Sequence, residues 1–143
     1  METPTYIHFG SNCFDIARFC PISNIQHFNK PHGGLWASPK EADYGWEDWC
    51  VAEDFKVESL NKSFAFILEP TAKILTIQSI TDLESLPRTI KNQFLVCIDF
   101  EKLAEDFDAI EVKMSMDSNL YYALLGWDCD SILVMNPTVI RTI

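Results

Sequence analysis

Four short runs carry the side chains most able to hold and act on a flat ligand. They are His8-Phe9-Gly10-Ser11, Gly33-Gly34-Leu35-Trp36-Ala37-Ser38, Trp46-Glu47-Asp48-Trp49-Cys50, and Asp128-Cys129-Asp130 leading into Ser131-Ile132-Leu133-Val134. Two glycines beside an indole leave bare backbone against a large aromatic face, the makings of a pocket floor. The plainer alternative is a tight turn feeding a buried tryptophan. Trp46, Trp49 and Cys50 fall at i, i+3 and i+4, so a helix puts them on one face, where such a stripe is more often core than ligand contact. His8 at a strand end is by default a half-buried histidine. Asp128 and Asp130 are by default solvated, and Glu47, Asp48, Glu53 and Asp54 form a solvent-facing helix side. All four runs in one chain, in this order, favour a ligand site over these separate readings.

The elements that must position them follow from periodicity and punctuation. Residues 5–11 alternate and read as a strand ending at Gly10-Ser11, and residues 14–20 as a short helix stopped by Pro21. Residues 34–38 are strand-like, and 41–55 read as a helix. Residues 63–69 and 73–79 read as two strands, the first closed by Pro70. Thr81 is a plausible N-cap for a helix over 81–87, which Pro87 ends. Residues 93–100 have an apolar run without a decisive period, either strand or helical segment. Residues 107–115 read as a strand, 118–127 as a short helix with Gly126 just past its end, and 130–136 as a buried strand turned away at Asn136-Pro137. Six or so strands irregularly mixed with short helices predict one α+β domain over residues 1–143, not a doubly wound parallel sheet.

In their order the four runs resemble the ADP-ribosyltransferase fold, in its diphtheria-toxin and poly(ADP-ribose)-polymerase-like branch. His8 with Gly10-Ser11 is similar to that family's His-Gly-Ser/Thr strand, with Phe9 as one additional residue. Gly34-Leu35-Trp36-Ala37 is similar to its Gly-x-Gly-Ile-Tyr-Phe-Ala-like second strand, and Trp49-Cys50 to its Ala-Asn-Tyr-Cys-like helix. Asp130 stands where the family places its catalytic glutamate, with Asp128 as a rival. The resemblance implies a split β-sandwich that takes NAD+ as substrate and breaks the nicotinamide–ribose bond. It implies a nicotinamide ring clasped between Trp36 and Trp49, and main chain at Gly10 exposed to the carboxamide. It further implies a ribose hydroxyl bonded by His8, and contacts from Ser11 and Ser38. Asp130, the catalytic acid beside His8, would stabilise positive charge on the ribose carbon. Aspartate reaches one methylene less far than glutamate, which argues against polymer elongation. Trp46 stands where the family often has a carboxamide-binding serine.

The implied function is mono-ADP-ribosyl transfer to a macromolecular acceptor, protein rather than nucleic acid, with release of nicotinamide. A small bacterial or phage effector, a toxin or an inhibitor of host defence, fits that size. Two other readings stay open: a non-catalytic acidic module that engages a basic protein partner, and an NAD glycohydrolase with water as acceptor.

Composition bounds these readings. Twenty-one acids against eleven Lys and Arg give a formal charge of −10, a field that repels phosphate backbones. With 48% apolar and 22% charged residues the chain is globular rather than disordered. Cys13, Cys20, Cys50, Cys97 and Cys129 form an odd set without C-x-x-C spacing, which suits reduced thiols in a cytoplasm. With His8, His27 and His32 they show no zinc pattern, so no metal is expected. Cys50 with His32 has the residue types of a thiol enzyme but no flanking signature. Gly33-Gly34 are not followed by Gly-Lys-Ser/Thr, so no phosphate-cradling loop is expected there. The N-terminal run lacks the regions of a signal peptide, and no segment approaches the roughly 18 apolar residues of a membrane helix.

Overall fold

The computed structural model describes residues 3–25, 29–92, 95–124 and 126–143. Among them the first half of the chain forms β1 (Tyr6–Phe9), β2 (Leu35–Pro39), α1 (Trp46–Glu53), β3 (Ser63–Leu68), β4 (Ile74–Ile77) and α2 (Ile80–Leu83). The second half forms β5 (Arg88–Asn92), β6 (Leu95–Ile98), α3 (Phe100–Asp106), β7 (Ala109–Val112), α4 (Asn119–Ala123), β8 (Ser131–Val134) and β9 (Ile140–Thr142). The class is α+β. Seven strands make one mixed sheet in the order β4-β7-β8-β2-β1-β3-β9, and β5 and β6 make a separate hairpin. Among the described residues only β4 and β7 pair in parallel. A parallel pair needs a long crossover, and this one carries α2, the hairpin and α3.

β8 is the spine of the sheet. All four of its residues are buried, which explains why its sequence reads as a continuous apolar run. Leu133 joins a core with Ile110, Val112 and Trp127 that α2, α3 and α4 cover through Leu83, Phe100, Leu103 and Leu120. Ile132 and Val134 face the other way and pack with Tyr6, Leu35, Ala37, Phe66 and Leu68. One side of the sheet is therefore covered by helices, while the other is covered by the β1-β3 half of the same sheet.

Several expectations need correction. The segment expected as a helix over 14–20 forms only a 3-10 turn at Ile16–Arg18, with the Asp15 carboxylate accepting from the Ala17 N–H at 3.0 Å. α1 begins at Trp46 rather than residue 41, because Gly45 is its N-cap. α2 starts from Ser79, not Thr81. The run over 93–100 resolves into both alternatives: strand through Ile98, then helix from Phe100. Asp99 separates them, its carboxylate capping the Lys102 N–H at 3.1 Å. Gln93 and Phe94 of that run, and His27 and Leu125, lie outside the described residues. Among the described residues, no helix is long and apolar enough to cross a membrane.

Candidate functional site

The site begins where two neighbouring strands part. β1 pairs with β2 only at Tyr6↔Pro39 and Ile7↔Ser38. Beyond that point His8 and Phe9 pair with β3 alone, while Ala37, Trp36 and Leu35 pair with β8 alone. Parting strands leave backbone groups without ladder partners, and those groups must be satisfied some other way. His8 supplies the answer, with Nδ1 2.6 Å from the carbonyl oxygen of Trp36. A carbonyl only accepts, so Nδ1 carries a proton and donates it, which leaves Nε2 as the ring nitrogen not used in this tie. Gly10 follows at φ +113°, backbone that favours glycine, and a Cβ there would lie 4.0 Å from His8 Nε2.

A cavity of about 330 Å³ occupies the split. Trp36, Trp46, Trp127 and Phe9 form its aromatic walls, and His8, Gly10 and Ser38 lie along it. Its charged lining is Lys30, Lys56 and Asp128, two cations and one anion in a chain whose formal charge is −10. Each lysine is placed by identifiable packing. The stem of Lys30 crosses Gly126, where an added Cβ would come within 3.2 Å of its Cδ, and its ammonium sits 5.0 Å above the Trp36 ring. Asn29 beside it is tied down three ways. Its carbonyl accepts from the Trp127 indole N–H, its Oδ1 from the Ile98 N–H at 2.8 Å, and its Nδ2 donates to Ala123. Lys56 is brought in by a tight exit from α1, with Asp54 and Lys56 both left-handed at φ 50° and 46°. Such conformations cost non-glycine residues about 1–2 kcal/mol each.

Trp36 and Trp49 do not form a clasp. Trp49 stacks on Trp46 instead, centroids 5.1 Å apart, and Phe55 meets both edge-on. Trp36 meets Trp127 in an edge-type contact at 4.7 Å, with Lys30 over its ring, and lines the first cavity, whereas Trp49 lines the neighbouring cleft. The cause is the i, i+3 spacing on α1, which brings Trp46 and Trp49 together and leaves Trp46 on the cavity side. Gly33-Gly34 do not line this cavity but a separate groove, with Lys30 and Trp36. A Cβ on Gly33 would fall 2.2 Å from the Pro21 carbonyl oxygen, and one on Gly34 2.5 Å from Leu133 Cδ1, so both permit close chain packing under β2.

Two polar residues expected to touch ligand are structural ties. The Ser38 hydroxyl accepts from the Trp46 N–H at 2.8 Å and donates to the Asp130 carbonyl at 2.9 Å, joining β2, the start of α1 and the lead into β8. The Asp130 carboxylate accepts from the Ser115 N–H and hydroxyl, each at 2.9 Å, and its own N–H donates to the Tyr44 carbonyl. Asp130 is 6% exposed and turned to a neighbouring cleft. Ser11 also lies outside the cavity, in a shallow groove beyond His8.

That neighbouring cleft, about 560 Å³, holds Trp49, Glu53 and Asp130 with Tyr44, Tyr121 and Tyr122. Asp128 and Cys129 line both spaces. Asp128 is partly exposed, with no side-chain hydrogen bond to another described residue among those observed, so it is the acid available to the cavity. Burial pushes the Cys129 thiol up to about 11, and burial also raises Cys50. Both shifts favour the thiol over the reactive thiolate, and Cys50 is wholly buried, while His32 bridges Ser23 and lines a different groove.

Of the residues singled out in the sequence, His8, Gly10, Trp36, Ser38 and the alternative acid Asp128 line this cavity, while Ser11, Trp49 and Asp130 lie outside it. Sequence reasoning missed Lys30, Lys56, Trp46 and Trp127 as wall residues. The only available signal was the lysine opening Lys30-Pro31-His32-Gly33-Gly34, since Lys56 and Trp127 are placed by turns and long-range contacts. No family model, no curated protein and no solved structure matches this chain.

Proposed function

We propose that the cavity at the β1–β2 split takes NAD+ as substrate, within an ADP-ribosyltransferase-type split β-sandwich, and that the protein transfers ADP-ribose to a protein acceptor. The observation that carries this reading is a single cavity combining three indoles, a histidine held through Nδ1, two ammonium groups and one available carboxylate. Each matches a part of the dinucleotide. Flat rings pack on indole at about 0.5–1.5 kcal/mol beyond area burial. Lys30 and Lys56 suit the diphosphate, as charge-assisted bonds worth about 1.5–3 kcal/mol each. His8 Nε2 accepts from a ribose hydroxyl. At about 330 Å³ the cavity sits at the low end of small-molecule sites, so it encloses one nucleotide half and leaves the other along the rim.

The chemistry then falls to Asp128 in place of Asp130. The bond from ribose C1′ to the nicotinamide nitrogen breaks, and its electron pair stays with nicotinamide, which leaves neutral. Positive charge develops on C1′, where the Asp128 carboxylate stabilises it. The acceptor's nucleophilic atom bonds to C1′, and its proton passes to that carboxylate or to water.

The test is incubation of the protein with labelled NAD+ and cell lysate, wild type beside Asp128→Asn and Asp130→Asn. Label on protein with wild type, lost with Asp128→Asn and retained by folded Asp130→Asn, supports the reading. Equal labelling by wild type and Asp128→Asn, or no labelling at all, overturns it. Free ADP-ribose without labelled protein would make water the acceptor.

A further inference from the structure

The second cleft has a chemistry of its own that the NAD+ reading does not use. Its wall contains Tyr44, Trp49, Tyr121 and Tyr122 with the acids Glu53, Asp128 and Asp130, the last already bonded to Ser115, and among the described residues no lysine, arginine or histidine. Tyr44, Tyr121 and Tyr122 are 37%, 47% and 76% exposed, and the last two meet edge-on at 5.7 Å on α4. α4 buries only Leu120, so it offers these rings outward rather than to the core. Aromatic rings gathered on an exposed rim mark a contact surface. Neither Glu53 nor Asp128 belongs to an ion pair among the described residues, where the pairs are Arg18–Asp15, Lys102–Glu105 and Arg141–Glu69. The local field is negative at the rim: burial first, then the charges of Glu53 and Asp48, hold the Tyr44 phenol above its ordinary value.

Ring faces beside unpaired carboxylates select a cation. A guanidinium fits best, because it is planar, stacks on aromatic faces and pairs bidentately with carboxylate, whereas an ammonium is a strongly hydrated point charge. A second copy of this chain, at −10, would meet like charge here. We infer that this cleft docks an arginine side chain on an exposed segment of a partner protein. That places the segment beside Asp128, the edge shared with the NAD+ cavity. The inference rests on the proposed transfer for its purpose, since the segment would be the acceptor, but docking itself needs no NAD+.

The experiment titrates the full chain with short synthetic Gly-Ser peptides bearing a central arginine, citrulline or lysine, followed by NMR of the tyrosine and tryptophan rings without NAD+. The arginine peptide shifts the Tyr121, Tyr122 and Trp49 signals. Citrulline, the neutral isostere, binds about tenfold more weakly, and lysine falls between, as a loss of about 1.4 kcal/mol requires. Glu53→Gln and Tyr122→Ala, both at exposed positions, each weaken arginine binding several-fold, and added salt weakens it further. No binding, equal binding of arginine and citrulline peptides, or affinity unchanged in both variants overturns the inference. So does concentration-dependent self-association that Tyr122→Ala abolishes, which would assign the rim to a second copy. NAD+ titrated into the same samples separates the two ideas. Peptide binding without NAD+ binding overturns the cavity reading alone, and the reverse overturns only the docking.

Discussion

The two clefts share Asp128 and Cys129 but are built by different means and offer opposite chemistry. The first opens because β1 leaves β2 after Ile7↔Ser38, and its walls are indoles with two lysines set among them. The second lies between α1, α4 and the lead into β8, and its walls are phenols, the Trp49 indole and carboxylates, without a basic group among the described residues. A net charge of −10 describes the second and misdescribes the first. Overall charge therefore excludes partners only for surfaces that share it; a cavity's field is set by the few groups that face it. The same contrast separates the two aspartates. Asp130 has both carboxylate oxygens committed to Ser115, whereas Asp128 faces both spaces.

The largest expected effect comes at the shared acid. Asp128→Asn should cut transfer from NAD+ by about 10²–10³-fold, the range for removing one preorganised charge stabiliser, with the melting temperature little changed. Single-turnover labelling and thermal unfolding on one sample check both halves. Asp130→Ala should do the opposite. It strands the Ser115 N–H and hydroxyl at a cost of about 1–3 kcal/mol, lowering Tm by about 3–10 °C while the residual folded fraction keeps turning over. If Asp130→Ala abolished transfer without loss of stability, the division of labour between the two acids would be reversed.

Next in size are the cavity lysines. Lys56→Gln and Lys30→Gln should each weaken NAD+ binding about five- to tenfold by calorimetry, with a smaller salt dependence than wild type, and leave arginine-peptide binding unaltered. The smallest effect lies behind the acidic side, at Glu111 on β7. Burial raises the Glu111 carboxyl above its ordinary 4.5, with the Asp130 charge adding to the rise, while Lys113 and the Tyr6 hydroxyl oppose it. A raised folded value means protonation favours folding. That contribution is whole below pH 4.5 and is lost as pH rises through the folded value. Glu111→Gln should therefore raise Tm by about 1–2 °C at pH 7 and by nothing measurable at pH 4. A gain at acid pH instead would contradict the assigned sign.

How much of this was legible in the sequence depended on how local the cause was. β1, β2, β3, β4, β7 and β8 could be read because alternation or an apolar run was bounded by Gly, Pro or Asn. α3 was not, because the run over 93–100 has no period of its own and the change of element rests on one capping carboxylate, Asp99. β9 is three residues long at a sheet edge and leaves almost no pattern. In the site, His8, Gly10 and Trp36 were legible because the strand pair positions them. Trp49 was taken for Trp46 because the rotation of α1 is set by Ser38, which binds the Trp46 N–H from eight residues away. From the sequence Asp130 comes first because it stands where the resembled family places its glutamate, and Asp128 is its rival on the same side if the segment is extended. β8 begins only at Ser131, and of the two aspartates, which both line the second cleft, Asp128 alone also lines the first cavity. Lys30 and Lys56 depend on the Asn29–Trp127 tie and on two left-handed residues, which no local pattern announces.

The most direct test of the NAD+ cavity is a nuclear Overhauser measurement between the nicotinamide and ribose protons of NAD+ and the protein's indole rings. The four tryptophans are assigned through single Trp→Phe variants. The account predicts contacts to Trp46 and Trp127 and none to Trp49. Contacts to Trp49, or no contact to any indole of the split at saturating NAD+, would contradict it.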